Sequence, residues 1–365
     1  MTRTRGFSIV ELMVAITLAL IVTTAVVSVF IGSQSAFRST SGTAALSDSG
    51  RFALRFIENA VRDAGFMSCG SSTRTISNLN PQPTSLYYAP GPTGFFPPMA
   101  GFEAKNTGVG NAYTASTTAG VLANWNPTLD AAFSSLGGPS PGLPFKNNDI
   151  LVVRSASQAS QPAYVTSLAG NTFVVDAQQS LKAPQLAIIS NCGQALLFQI
   201  TGIAGAAPNV TVTHAAGGGA GGNAAATLPL SFGAGAMVAP LAATVYFIGT
   251  GADGDGALFA ADMQTNNTFA PNELVPDIEA MQILYGLDAT GAQNASQFVT
   301  ADLVPDFGSV MSVQVAILAA GPPGSAATPP AAIRYNLLGT LVTAPRDNRA
   351  RQVFEVTIAA RNLLP

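Results

Sequence analysis

The sequence predicts an α+β protein, in which a long N-terminal transmembrane helix packs on a large, mainly antiparallel β-sheet head. Two observations predict this class. The chain opens with an almost unbroken apolar run from Phe7 to Ile31, and beyond residue 148 it carries many short β-branched runs separated by turn residues. Charged residues make up only 10% of the chain, whereas soluble domains contain roughly 25%. The low charge agrees with a membrane segment at one end.

The apolar run follows a short basic leader that contains Arg3 and Arg5. As a helix, the segment 7–31 would be about 37 Å long, enough to span a hydrocarbon core of about 30 Å. It is roughly twice as long as the apolar region of a secretory signal, and no A-x-A cleavage site follows it. Because the arginines hold the start in the cytoplasm, we expect a single-pass inner-membrane protein with its head in the periplasm.

One carboxylate, Glu11, lies within this apolar run. A charge inside a bilayer costs several kcal/mol, so such a residue usually marks a function or a partner.

The helix is expected to continue through residues 32–65. Arg51, Arg55 and Arg62 recur at helical spacing on one face, and Glu58 is placed to pair with Arg62 four residues later. A weaker, bent segment is expected between the two helical parts, at Gly32, Gly42 and Gly50.

Residues 66–365 are predicted to form the β-rich head, with long loops at about 73–148 and 214–243. The runs "ATVYFIG" and "ALFAAD" predict two strands around a turn. The stretch "APNELVPDIEAMQILYG" is interpreted as a short helix that runs into a strand. Two further apolar runs, ending at residues 321 and 362, are expected to complete the antiparallel sheet.

Charge and residue content exclude several functions. The net charge is −3 and Lys/Arg do not cluster, so binding of nucleic acid is not expected. The chain has one histidine, His214, beside a glycine-rich loop, and no G-x-S-x-G motif. We therefore expect no enzyme activity and no cofactor.

Asp253 and Asp255, in "ADGDGA", are weak candidates for calcium binding. Ala257 lies where an EF-hand loop needs a third oxygen ligand, and no glutamate follows at the required spacing. A hairpin turn is the favoured interpretation, and a calcium site of another kind remains the alternative.

The chain has two cysteines, Cys69 and Cys192, without metal-ligand spacing. In an oxidising compartment the favoured interpretation is one disulfide. The alternative is two buried, unpaired thiols.

The segment "RGFSIVELMVAITLALIV" closely resembles the type III signal of the type IV pilin superfamily. The resemblance implies that prepilin peptidase cleaves after Gly6 and that Phe7 becomes the N-methylated first residue. It also implies that Glu11 matches the glutamate whose carboxylate pairs with the amine of a neighbouring subunit. Such pairing would make the buried charge tolerable.

Later segments resemble PilW-type minor pilins: "GRFALRFIENAVRDAGFMSCG", "SNCGQALLFQIT", "ELVPDIEAMQILYGLDATG" and "RQVFEVTIAARN". Leu20 and Ser28 occupy positions where major pilins commonly carry Gly and Pro, which suits a minor subunit. The resemblance implies a pilin that primes assembly of the type IV pilus and sits at its tip. Its partners would be other minor pilins, the major pilin and prepilin peptidase. Two alternatives are a J-type minor pseudopilin of type II secretion and a membrane-anchored adhesin or binding module.

The leader motif generates a processing prediction. In a host that contains prepilin peptidase, we expect intact-protein mass spectrometry to find the mature chain beginning at a methylated Phe7. A chain that begins at Met1, or one cut beyond residue 31, would contradict the assignment of Gly6 and Phe7.

Overall fold

The computed structural model confirms the α+β class. The predicted cleavage residues Gly6 and Phe7, and both cysteines, lie outside the residues that it describes. The described residues are 8–67, 75–80, 97–129, 133, 136, 144–157, 161–177, 181–191, 193–217, 221–264, 269–290 and 294–363.

One helix, α1, extends without interruption over Ile9–Asp63. The weaker segment expected between a membrane part and an extension is therefore helical throughout. Residues 8–41 are all exposed, and burial begins at Gly42. The first half of α1 thus projects from the head, and the second half packs on it.

The described part of the head is almost entirely β-structure. Its strands are β1 Thr75–Ser77, β2 Met99–Ala104, β3 Ala112–Thr114, β4 Trp125–Asn126, β5 Ile150–Ala156, β6 Ala163–Ala169, β7 Thr172–Val175, β8 Gln185–Asn191, β9 Gln194–Ile200, β10 Gly202–Ala206, β11 Asn209–Thr213, β12 Met237–Thr250, β13 Gly256–Met263, β14 Phe269–Pro276, β15 Ile278–Leu287, β16 Gln297–Val299, β17 Val310–Ala320, β18 Arg334–Leu337, β19 Thr340–Thr343 and β20 Arg351–Ala359. Single 3-10 turns lie at Leu122–Asn124, Ala301–Leu303, Phe307–Ser309 and Arg361–Leu363.

The strands form three sheets. A branched sheet of 13 strands contains β1, β2 and β4–β14, and the long strand β12 is its hub, since it pairs with β5, β6, β8 and β13. A second sheet has the order β16-β15-β17-β20, and a third has the order β18-β19-β3. Among the described pairings, those of β1 with β9 and of β19 with β3 are parallel, and the rest are antiparallel.

Two local expectations differ from the structure. The stretch expected to be a short helix forms strand β14, whose Pro271 and Pro276 cannot donate hydrogen bonds. Within the described part of the chain β14 pairs with β13 alone, so it is an edge strand that tolerates prolines. The loop expected at about 214–243 ends earlier, because β12 begins at Met237 and pairs with β6 and β8 from there.

The packed half of α1 lies on β17 and β20. Its buried residues recur every three or four positions, which places them on one helix face: Gly42, Leu46, Gly50, Ala53, Ile57 and Val61. Two of them are glycines that permit a close approach. A Cβ at Gly42 would lie 2.4 Å from Cβ of Ser325, and one at Gly50 would lie 2.3 Å from the ring of Phe354. The glycines at these two positions therefore serve the packing of α1 on the head.

This close approach predicts that replacing glycine by alanine destabilises the head at one position of α1 and not at another. Gly42→Ala should lower the free energy of unfolding by about 1–3 kcal/mol, because Ser325 has to move. Gly32→Ala should not destabilise the head, since its Cβ meets nothing within 4 Å. Thermal unfolding of the detergent-solubilised chain, followed by near-UV circular dichroism, measures both. Equal melting temperatures for the two variants would contradict the packing role.

Candidate assembly site

Glu11, the predicted assembly residue, has a local partner at the start of α1. Ser8 is the N-cap, and its hydroxyl oxygen accepts a hydrogen bond from Val10 N–H at 3.3 Å. Glu11 completes a capping box, because its Oε2 accepts a hydrogen bond from Ser8 N–H at 3.4 Å. The carboxylate therefore stabilises the helix start in addition to any role between subunits.

The exposed half of α1 is long and apolar enough to cross a membrane. Hydroxyl groups within it hydrogen-bond to carbonyls one turn earlier: that of Thr23 contacts Ala19 O at 2.7 Å, and that of Ser28 contacts Ala25 O at 2.8 Å. These side chains satisfy their own polar groups inside the helix, which suits burial in lipid.

The packed half of α1 presents a basic face to solvent, next to a groove of about 470 Å³ between the helix and β20. Arg51 and Arg55 line the groove without an ion-pair partner among the described residues. Arg62 is paired with Glu58, as the sequence predicts. Phe52 and Phe56 are also exposed, at 56% and 42% of their surface.

The C-terminal tail fixes the end of α1. The side-chain amide of Asn362 donates hydrogen bonds to the carbonyls of Arg62 at 3.0 Å and Ala64 at 3.1 Å. These carbonyls lie at the helix end, where intrahelical donors are lacking. The R-N sequence near the C-terminus therefore has a physical role: it joins the first element of the head to the last.

Asp149 connects the branched sheet to the sheet that carries α1. Its Oδ1 accepts a hydrogen bond from Ala104 N–H at 3.0 Å, and its Oδ2 accepts one from Ile283 N–H at 2.8 Å. Its own N–H donates to Met281 O at 3.2 Å, and Asn148 Oδ1 accepts from Met281 N–H at 2.7 Å. These side chains take the place of a neighbouring strand along β15.

A second buried carboxyl, Glu103, lies beside Asp149. Its Oε1 lies 3.2 Å from the hydroxyl oxygen of Thr107, which donates its hydrogen to Ala104 O at 2.6 Å, and its Oε2 is buried without a partner among the described residues. Burial, together with the nearby charge of Asp149, raises the pKa of Glu103 to about 10. Burial also raises the pKa of Asp149. A protonated Glu103 donates a hydrogen bond to the Asp149 carboxylate, which accounts for the otherwise unsatisfied oxygen.

The calcium candidates Asp253 and Asp255 lie in the turn between β12 and β13, close to Asp277, which lies between β14 and β15. Carboxylate oxygens of the three residues lie within 4.8 Å of one another. However, Arg349 Nη1 is 2.6 Å from Asp255 Oδ2, and its Nη2 contacts Asp277. Asp253 Oδ1 accepts a hydrogen bond from Asp255 N–H at 3.0 Å. A guanidinium therefore already supplies the positive charge between two of these carboxylates, so the cluster does not fit an additional metal ion well.

A second ion-pair cluster surrounds Arg351 at the start of β20. Its Nε is 2.7 Å from Glu279 Oε2 and its Nη2 is 2.6 Å from Asp347 Oδ2. Both arginines are almost fully buried, with 8% and 4% of their side chains exposed. These pairs connect the start of β20 and the segment before it to the β12–β13 turn, to the junction of β14 and β15, and to β15. Local sequence patterns do not reveal these clusters, because all the partners except Asp347 are 72 or more residues away from their arginine.

The cysteines are not described, but residues near them in sequence share one apolar cluster. Met67 precedes Cys69, Ala195 follows Cys192, and both belong to the cluster that also contains Leu186 and Leu197. The chain segments that lead to the two cysteines are therefore close in space.

The fold and this site define a class of protein: a membrane-anchored subunit with a projecting N-terminal helix and a β-sheet head. Comparison with known families is more specific. Residues 1–27 match the family model described as the prokaryotic N-terminal methylation motif, and residues 245–362 match that of the type IV pilus-assembly protein W, PilW. Over these two segments the chain is similar to type IV minor pilins with a prepilin signal.

Other comparisons add little. No curated protein matches the chain. A type IV-like pilin from Thermus thermophilus is 23% identical, and the match covers 34% of this chain and 70% of the other, with a TM-score of 0.22.

The pair of Glu103 and Asp149 predicts a pH dependence of stability. The folded state keeps a proton on Glu103 that the unfolded chain releases above about pH 4.5, so stability should fall as the pH rises from there toward 10. Glu103→Gln removes this proton while its amide still donates to Asp149. We expect a smaller fall in melting temperature between pH 5 and pH 9 in the variant, measured by differential scanning fluorimetry.

The exposed Glu355 provides the control for this experiment. Glu355→Gln should follow the wild-type pH profile. If Glu103→Gln followed it as well, Glu103 would not hold the proton assigned to it.

Proposed function

We propose that this chain is a minor pilin that primes assembly of the type IV pilus and occupies its tip. The observation that carries the proposal is the combination of a projecting apolar helix, which bears the methylation motif, with a head much larger than the PilW-matching segment. The helix would join the bundle of pilin helices in the membrane, and the head would remain in the periplasm. The PilW match favours the pilus over a secretion pseudopilus.

The size of the head supports a position at the tip of the pilus. The strands that precede residue 245 make up most of the 13-stranded sheet and lie outside the PilW match. A subunit in the filament body is enclosed by neighbours that follow the same helical symmetry, whereas a subunit at the tip is open on one side. An enlarged head is tolerated at the tip without disturbing the packing below it.

Glu11 would have two roles in this function. Its carboxylate closes the capping box of α1 in the lone subunit, and in the assembly it would pair with the amine of a neighbour's first residue. Removal of one member of a buried ion pair costs about 3–5 kcal/mol, whereas loss of a cap costs about 1 kcal/mol. The difference is large enough for the two roles to be separated by mutation.

The proposal includes a disulfide between the two cysteines. In the periplasm, a disulfide between Cys69 and Cys192 would join the segment after α1 to the loop between β8 and β9. The shared cluster of Met67, Leu197 and Ala195 supports this pairing, because it brings the two segments together.

Three variants test the role of Glu11 in assembly. Glu11→Ala removes both the charge and the cap, Glu11→Gln removes the charge but retains a capping amide oxygen, and Ser8→Ala removes part of the cap but leaves the charge. We expect both Glu11 variants to reduce the number of surface pili strongly, and Ser8→Ala to have little effect. Electron microscopy counts the pili, and immunoblots of membranes confirm equal protein levels.

The pattern of the three variants decides between the roles. If Glu11→Gln produced as many pili as the wild type, the cap alone would account for the residue. The same preparations, analysed by mass spectrometry, show whether the chain is present in pili at all; its absence there would overturn the proposed function.

A further inference from the structure

Strand β20 forms one edge of the sheet on which α1 packs. The order of that sheet is β16-β15-β17-β20, so among the described strands β20 has a partner on one side only. The strand is nine residues long, "RQVFEVTIA", and contains neither proline nor glycine. A long edge of this kind presents a row of main-chain hydrogen-bonding groups to any extended segment that approaches it.

The register with β17 shows which groups point outward. Ala360 N–H donates to Met311 O, and Gly321 N–H donates to Ala350 O, so even-numbered residues of β20 face β17. In an antiparallel pair the main-chain groups alternate between the two sides of the strand. Those of Val353, Glu355, Thr357 and Ala359 therefore point away from the sheet, and no described residue forms a hydrogen bond with them.

Other long edges of the head are protected. The far edge of β15 is covered by β16 and by the side chains of Asn148 and Asp149. Strand β14, an edge of the branched sheet, carries two prolines. Prolines and covering groups are the usual protection of sheet edges against further pairing. The edge of β20 has neither prolines nor covering side chains among the described residues, so its main-chain groups are available to a partner.

The groove beside this edge is lined by more basic than acidic side chains: three arginines of α1 face it, along with Glu58, which pairs with Arg62, and Glu355 of β20. Arg51 and Arg55 on α1 face it, and neither forms an ion pair among the described residues. The exposed rings of Phe52 and Phe56 lie on the same part of the helix. Exposed aromatic residues and arginines are enriched in protein interfaces. The groove therefore fits a segment with carboxylates on the side that faces α1.

We propose that an extended acidic segment of another pilus subunit adds to β20 as a fifth strand of this sheet. Its main chain pairs with Val353, Glu355, Thr357 and Ala359, and its carboxylates contact Arg51 and Arg55. Strand addition obtains affinity from main-chain hydrogen bonds and specificity from the flanking side chains. This inference rests on the proposed function, since it names the contact by which the head would recruit a partner.

Hydrogen exchange of the full-length chain tests the pairing. The chain is purified in detergent, once alone and once by affinity tag from cells that express all pilus subunits. In the isolated chain, the amides of Val353, Glu355, Thr357 and Ala359 should exchange quickly, while those of the even positions are protected. In the complex, the four amides should exchange at least about tenfold more slowly.

Two outcomes of this measurement would overturn the inference. The first is equally fast exchange of the four amides in both samples. The second is protection that grows with concentration in the isolated chain, which would make a second copy of this chain the occupant.

A pair of substitutions at Thr357 provides an independent test. Thr357→Pro removes one outward N–H, and an edge position tolerates proline because that N–H is not bonded within the sheet. Thr357→Val keeps the N–H and the β-branched shape. At an unchanged melting temperature, Thr357→Pro should reduce the amount of co-purified subunits at least about tenfold, on the basis that a strand addition depends on its main-chain hydrogen bonds. Thr357→Val should not reduce it. Equal recovery with both variants would contradict the proposal.

The results separate the two proposals. If no pilus subunit co-purifies with the wild-type chain, the proposed function and this inference both fail. If subunits co-purify while the four amides remain unprotected, only the strand addition fails.

Discussion

The architecture of the head depends on one buried carboxylate. Asp149 binds main-chain groups of β2 and β15 at the same time, and so joins the branched sheet to the sheet that carries α1. A buried charge is costly unless it is paired or hydrogen-bonded, and here two N–H groups and the proton of Glu103 satisfy it. The same contact supplies partners to an edge that would otherwise be exposed. Since Asp149 precedes the PilW-matching segment and Ile283 lies within it, this site unites the matched and unmatched parts of the protein.

The helix and the sheet fit each other through small residues at a few positions. Gly42 and Gly50 bring the backbone of α1 against Ser325 and Phe354, where any larger side chain would collide. Elsewhere on the same face, Ile57 and Val61 fill the space with apolar side chains. The helix is therefore seated by shape as well as by hydrophobic burial, and a shift along its axis would bring side chains into the places that the glycines leave open.

Local patterns predicted much of this structure. The apolar run predicted the projecting helix, and the β-branched runs predicted β12, β13, β17 and β20, because both signals depend on residues that are close in sequence. The glycines of α1 were misinterpreted as weak points, since their function depends on what packs against them. The "APNELVP" stretch was expected to be helical, but it forms the edge strand β14. Its two prolines are tolerated there because one side of β14 is unpaired, and the local sequence does not show which strands lie at an edge. The contacts of Asp149 with β15 and of Arg349 with Asp255 join residues about a hundred positions apart, and no local signal contains that information.

The cap that Asn362 places on α1 has a mechanical consequence. Because the tail of the chain is hydrogen-bonded to the end of the first helix, and α1 packs on β17 and β20, the two ends of the head meet in one place. A pulling force that enters through the membrane helix passes directly into the sheet formed by the last part of the chain. The branched sheet is formed by the chain between α1 and β15, and this load does not pass through it. Its outer strands could therefore change in length and sequence without altering the hydrogen bonds of Asn362 or the contact of α1 with β17 and β20.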